Sequence, residues 1–150
     1  MALNWPLQKN GSTGEPVRSL QYLLRAHGSS INVDGVFGSQ TQSAVEAFQR
    51  AHHLTVDGVA GNQTWPALII TVRRGSTGDA VRAVQDQAQF RNLSGDPSKG
   101  LAVDGIFGPK TEAFVRGFQQ ALRADDPTVA VDGIVGPVTW NALVNERLSG

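Results

Sequence analysis

One hexapeptide is written four times in this chain: VDGVFG at 33–38, VDGVAG at 56–61, VDGIFG at 103–108 and VDGIVG at 131–136. A recurring Asp-Gly leaves the backbone few choices. Asp bonds through its side chain to N–H groups just ahead of it, and Gly supplies the positive φ of a tight turn. Each copy precedes a helical pattern, and its closing glycine falls where that helix begins. The four copies therefore predict four joints of one kind, each between two helices.

A longer repeat contains them. GSTGEPVRSLQ (11–21) aligns with GSTGDAVRAVQ (75–85) at an offset of 64, the first VDG pair at 70 and the second at 75. The offset grows through the loops GDPSKG (95–100) and ADDP (124–127), so the insertions fall between periodic segments. The boundary lies near Thr71, dividing the chain into units 1–71 and 72–150.

Each unit reads as three helices. In the first helix Val17, Leu20 and Leu24 share a face, Ser12 and Glu15 have capping-box spacing, Pro16 suits a first turn and Gly28 a stop. The second carries the stripe Ala44, Val45, Phe48, His52, matched by Phe114, Val115, Phe118, Leu122, with Pro109 at a first helical position. The third, NQTWPALI or PVTWNALV, is short, and Pro66 makes the first copy begin late or bend. The valines before each DG are expected to form short extended pieces that pair with each other. The fold expected is all-α: two tandem three-helix bundles with DG-turn loops between helices.

The loops are poor chemical sites. An EF-hand needs several oxygen ligands and a Glu at its twelfth position, whereas DGVFGSQTQSAV offers one carboxylate. A phosphate cradle needs a longer glycine-rich loop with a lysine, and Lys110 follows Gly108-Pro109 with no equivalent at the other three hexapeptides. The histidines, His27, His52 and His53, all lie in the first unit; His52 is expected as a packed core imidazole, the others near helix C-termini. No G-x-S-x-G elbow occurs, and Glu46 and Glu112 are not equivalent positions that would form a glycosidase pair. With no cysteine, thiol catalysis, Cys-ligated zinc and disulfides are excluded. No enzyme, metal or other cofactor is expected. Lys and Arg total 13, as do Asp and Glu, so nothing basic favours nucleic acid. No apolar run approaches the ~18–20 residues a membrane helix needs. MALNWPLQKNG has no basic region followed by an apolar stretch, so no signal peptide is expected; the chain is then an excised piece or leaves by another route.

Written out in order, V-D-G-x-F-G-x-x-T-x-x-A/F-V-x-x-F-Q followed by V-D-G-x-x-G-x-x-T-W-x-A-L resembles the peptidoglycan-binding domain family, the three-helix module attached to many cell-wall hydrolases. The unit 1–71 carries it as VDGVFGSQTQSAVEAFQ and VDGVAGNQTWPAL, the unit 72–150 as VDGIFGPKTEAFVRGFQ and VDGIVGPVTWNAL. The resemblance implies non-catalytic binding of peptidoglycan, through glycan, stem peptide or both, by a monomeric, extracellular or wall-associated chain that targets itself or an attached hydrolase. The rival reading is a protein-interaction scaffold that keeps the fold without wall affinity. A matrix-metalloprotease prodomain has a similar fold but needs a cysteine. Two linked sites would multiply a weak affinity on a repetitive polymer.

The candidate contact residues are Asp34, Gly35, Phe37, Gln49, Trp65, Asp104, Gly105, Phe107, Gln119 and Trp140. Phe37 and Phe107 either stack on a sugar or plug the bundle end. Gln49 and Gln119 bond either a DG loop or a wall amide, and the two tryptophans either pack or meet ligand. The first DG loop of each unit, with Asp34 and Asp104, is the expected groove.

Overall fold

Helices form where the apolar stripes predict them. The computed structural model describes residues 3–148 and is all-α, with α1 Glu15–Ala26, α2 Ser39–Ala51, α3 Trp65–Leu68, α4 Asp79–Phe90, α5 Pro109–Arg123 and α6 Pro137–Val144. A 3-10 turn, Pro97–Lys99, interrupts the α4–α5 connection. Val17, Leu20 and Leu24 are buried, and so are Ala44, Val45, Phe48, Val115, Phe118 and Leu122. Pro109 opens α5 and Pro137 opens α6, where a missing N–H costs nothing. Pro66 has the expected effect: α3 is four residues long against eight in α6, and starts three positions later in the repeat.

Three local expectations are corrected. Ser12 does not cap α1. The N-cap is Gly14 at φ 106°, and the Ser12 hydroxyl instead accepts the Lys9 N–H at 3.0 Å, closing the preceding turn. The valines before the DG pairs do not pair with each other. Among the described residues the β-type pairing is four isolated bridges, Gln8–Ala60, Thr13–Val36, Val72–Val135 and Thr77–Ile106. They join the arm ahead of each unit's first helix to the residues after the DG, so the arm laces the two loops together. His52 is exposed rather than packed in the core; it ends α2, with its ring 4.1 Å from the Phe48 ring, while Leu122 is buried.

The two units share one apolar core, made by the first helix of each. α2 and α5 bury a single stripe, whereas α1 and α4 each bury eight of their twelve residues. The extra buried face of α1 lies against α4, the most extensive helix–helix contact in the molecule. Arg18 pairs with Asp86 and Arg25 with Asp79, so residue numbers rise on one helix as they fall on the other. The two helices run in opposite senses.

Candidate functional site

Each hexapeptide is held by a buried glutamine from the helix before it. In the first loop Gln21 Nε2 donates to Asp34 Oδ1 (2.9 Å), the Val36 carbonyl (3.1 Å) and Thr41 Oγ1 (3.1 Å). Its Oε1 accepts the Asp34 and Gly35 N–H groups, both at 3.0 Å. Asp34 Oδ1 also accepts the Val36 N–H at 3.0 Å, closing the Asx turn. Gln49 repeats the set on Asp57, Gly58, Val59 and Thr64. Gln85 does so on Asp104, Gly105, Ile106 and Thr111. Gln119 does so on Asp132, Gly133, Ile134 and Thr139. A backbone turn packed against a bundle must have its N–H groups satisfied, and one primary amide with its two donors and one acceptor does this for the whole turn.

The glycine of the turn is required twice over. Gly35 and Gly105 sit at φ 74° and 76°, and a Cβ there would lie 3.2 Å from the Arg18 side chain and 2.9 Å from that of Arg82. The N–H of Val36 and the amide of Gln21 hold the Asp34 carboxyl below the usual carboxylate range; Ile106 and Gln85 do the same for Asp104.

The candidate contact residues fall into two groups. Asp34 and Asp104 are exposed, each followed by an exposed aliphatic tip, Val36 or Ile106. The other group faces inward. Phe37 and Phe107 are 1% exposed and close the bundle end, presenting no ring face to solvent. Trp65 and Trp140 are fully buried, and their indole N–H groups donate at 2.8 Å to the carbonyls of Pro6 and Ile70, fastening the arm of each unit. Gln49 and Gln119 are buried in the clasps, and Gly35 and Gly105 lie beneath the arginines. Gln21 and Gln85 were missed by sequence reasoning, although both stand in the repeated G-S-T-G-x-x-V-R-x-x-Q. The available signal was the Thr three residues after every closing glycine, each preceded by a glutamine one helix earlier.

A second polar cluster lies between the units. Arg18 holds Asp86 with two parallel bonds of 2.9 Å, while its third nitrogen reaches the Val33 carbonyl at 3.4 Å, tying the first loop to α4. Burial pushes the Asp86 carboxyl up, but the bonds from Arg18 outweigh it and hold it below its ordinary value. Glu15 shares this space. Burial and the neighbouring Asp86 carboxylate push its carboxyl up to about 9, and its Oε2 is buried without a hydrogen-bond partner. Gln87 donates to the Ser19 hydroxyl at 2.7 Å across the same contact. Among the described residues no three His, Cys, Asp or Glu side chains converge as metal ligands would.

The chain resembles known proteins in both halves. The family described as "Putative peptidoglycan binding domain" matches at residues 13–68 and 77–143. The zinc D-Ala-D-Ala carboxypeptidase of Streptomyces albus G is 42% identical over 90 residues, covering 59% of this chain and 30% of that protein. The N-acetylmuramoyl-L-alanine amidase CwlM of Mycobacterium tuberculosis is 33% identical over 129 residues, covering 77% of this chain and 29% of that protein. The crystal structure of the SleB N-terminal domain is 39% identical, covers 45% of this chain and 94% of that domain, and has a TM-score of 0.43. The chain spans under a third of the length of either of these two curated relatives.

Proposed function

Because the chain belongs to the peptidoglycan-binding domain family, with two copies in tandem, we propose that it binds bacterial cell-wall peptidoglycan without catalysing a reaction on it. The observation that carries this reading is the double match: two complete copies of the family pattern, with all four clasps intact. The units are residues 1–71 and 72–150, and their place of action is the cell wall. The relatives named above are a zinc D-Ala-D-Ala carboxypeptidase and an N-acetylmuramoyl-L-alanine amidase, which supports a role in bringing such a hydrolase, attached or separate, to its polymer.

The contact surface lies at the first DG loop of each unit. There Asp34 and Asp104 offer carboxylate oxygens, and Val36 and Ile106 offer exposed apolar tips, 52% and 60% accessible. Phe37, Phe107, Trp65, Trp140, Gln49 and Gln119 serve this surface from below, as packing and hydrogen-bonding supports of loops and arms.

Co-sedimentation with purified insoluble peptidoglycan tests the reading. The chain should pellet saturably, and Val36→Asp with Ile106→Asp should weaken pelleting while leaving helicity unchanged, since both side chains are exposed. Undiminished pelleting of that variant would remove the loops from the contact surface. Absence of pelleting on every wall type would overturn the proposal in favour of a protein-interaction scaffold.

A further inference from the structure

Both connections are longer in the second unit, and the one that follows the Gln119 helix shapes a groove the first unit lacks a wall for. From Gln49 to its clasped aspartate is eight residues, and from Gln119 to its own is thirteen. The five added residues build a wall. Together with Leu3 and the start of α6 they enclose a groove of about 500 Å³ whose floor is the fourth clasp, Gln119 with Thr139. Its sides are aliphatic: Leu3, Val129, Ile134, Pro137 and Val138. Among the described residues no aromatic ring lines it, so none there stacks on the face of a pyranose.

The groove has a distinct charge. Asp126 and Asp132 line it, and among the described residues no Lys, Arg or His does. Asp126 spends Oδ1 on the Thr128 hydroxyl (2.6 Å) and N–H (3.0 Å), which hold its carboxyl below the usual range. Asp132 spends Oδ1 on Gln119 and the Ile134 N–H. In both residues Oδ2 makes no hydrogen bond among the described residues. Two cations stand beside the groove without lining it: Arg147 lines a smaller adjoining cavity and is paired with Asp125 at 3.6 Å, and Arg116 donates to the Val131 carbonyl at 3.2 Å and lies 3.9 Å from Glu112. Two unspent carboxylate oxygens above aliphatic walls match methyl and methylene groups that end in an ammonium.

We propose that this groove binds a short aliphatic peptide through a side-chain ammonium held by Asp126 and Asp132, so that the second unit reads the peptide of the wall rather than its sugar. The inference rests on the wall-binding reading for the source of that peptide.

Calorimetric titration of the full chain tests it, with the synthetic peptide L-Ala–D-γ-Glu–L-Lys–D-Ala, its Nε-acetyl-lysine form and a peptide-free glycan strand as probes. The free amine should bind, and acetylation should weaken binding about tenfold or more, the scale of a charge-assisted hydrogen bond. Asp126→Asn with Asp132→Asn should do the same while keeping the Oδ1 bonds and the melting temperature. Val138→Lys, at an exposed position, should fill the groove with a tethered ammonium and abolish peptide binding. Equal binding of both peptides, indifference to these variants, or no peptide binding at millimolar concentration would overturn the proposal. Parallel co-sedimentation separates the two readings. Retained pelleting without peptide binding sinks the groove alone; amine-dependent peptide binding without pelleting upholds the groove and sinks wall targeting.

Discussion

The four DG joints and the single seam between α1 and α4 are built in opposite ways. Every joint uses the same Gln, Asp, Gly and Thr in the same pattern of bonds, with lengths of 2.8–3.1 Å across all four. The seam is made once, from residues whose counterparts differ. Asp86 occupies the place of Tyr22, Gln87 that of Leu23, and Ala83 that of Ser19. Arg18 reaches across to Asp86, whereas the equivalent Arg82 turns back to Asp79 on its own helix. A joint answers to local backbone chemistry and tolerates copying. A seam between two copies needs only a complementary pair of faces, and complementarity favours divergence.

Removing one clasp should have the largest effect on stability. Gln85→Leu strips the acceptor from the Asp104 and Gly105 N–H groups, at a cost of about 3 kcal/mol from two unsatisfied donors. Gln21→Leu, Gln49→Leu and Gln119→Leu should cost a similar amount; urea midpoints that differ widely among the four would break the equivalence of the joints.

The seam should be sensitive to pH in a way the joints are not. The folded state keeps the Glu15 proton between the ordinary value of 4.5 and about 9. Its contribution is therefore complete below 4.5 and is lost as pH rises toward 9. Asp86 acts with the opposite sign, losing its contribution as pH falls below 3.8. Melting temperature should decline from pH 5 to pH 9, and Glu15→Gln should flatten that decline; an unaltered slope would place the titration elsewhere.

Asp86→Asn tests the seam alone. It leaves Arg18 half-paired at a site where that arginine is still one-third exposed, so the loss should be about 1–2 kcal/mol. Gly35→Ala and Gly105→Ala sharpen the comparison within the joints. Each should cost about 1 kcal/mol for the left-handed backbone, Gly105→Ala slightly more because Arg82 stands closer. Ser12→Ala should be the mildest, about 0.5 kcal/mol or less, because the hydroxyl closes an exposed turn and caps no helix. A loss near 2 kcal/mol would restore it as a cap.

The difference between joint and seam also decides what could be read from the chain. Helix positions, the DG turns, the late start at Pro66 and the loop-bonding option for Gln49 and Gln119 were legible, because each follows from a pattern within some twenty residues. The seam was not. Its buried face carries Glu15, Ser19, Asp86 and Gln87, which break the apolar stripe that periodicity detects. Phe37 and Phe107 could have faced either way, since a lone aromatic between two glycines has no periodicity at all. The groove in the second unit was visible as the ADDP insertion, but its walls come from residues as distant as Leu3.

The opposed run of α1 and α4 has a consequence for how the pair meets a polymer. Each unit is built outward from its first helix in the same way, so reversing that helix reverses the unit. The two copies are thus related by a half-turn, not by a step along a line. A strand with a chemical head and tail that enters one copy head first would have to enter the other tail first. Were both copies to take the polymer at equivalent surfaces, they would take segments of opposite heading and not successive repeats of one strand.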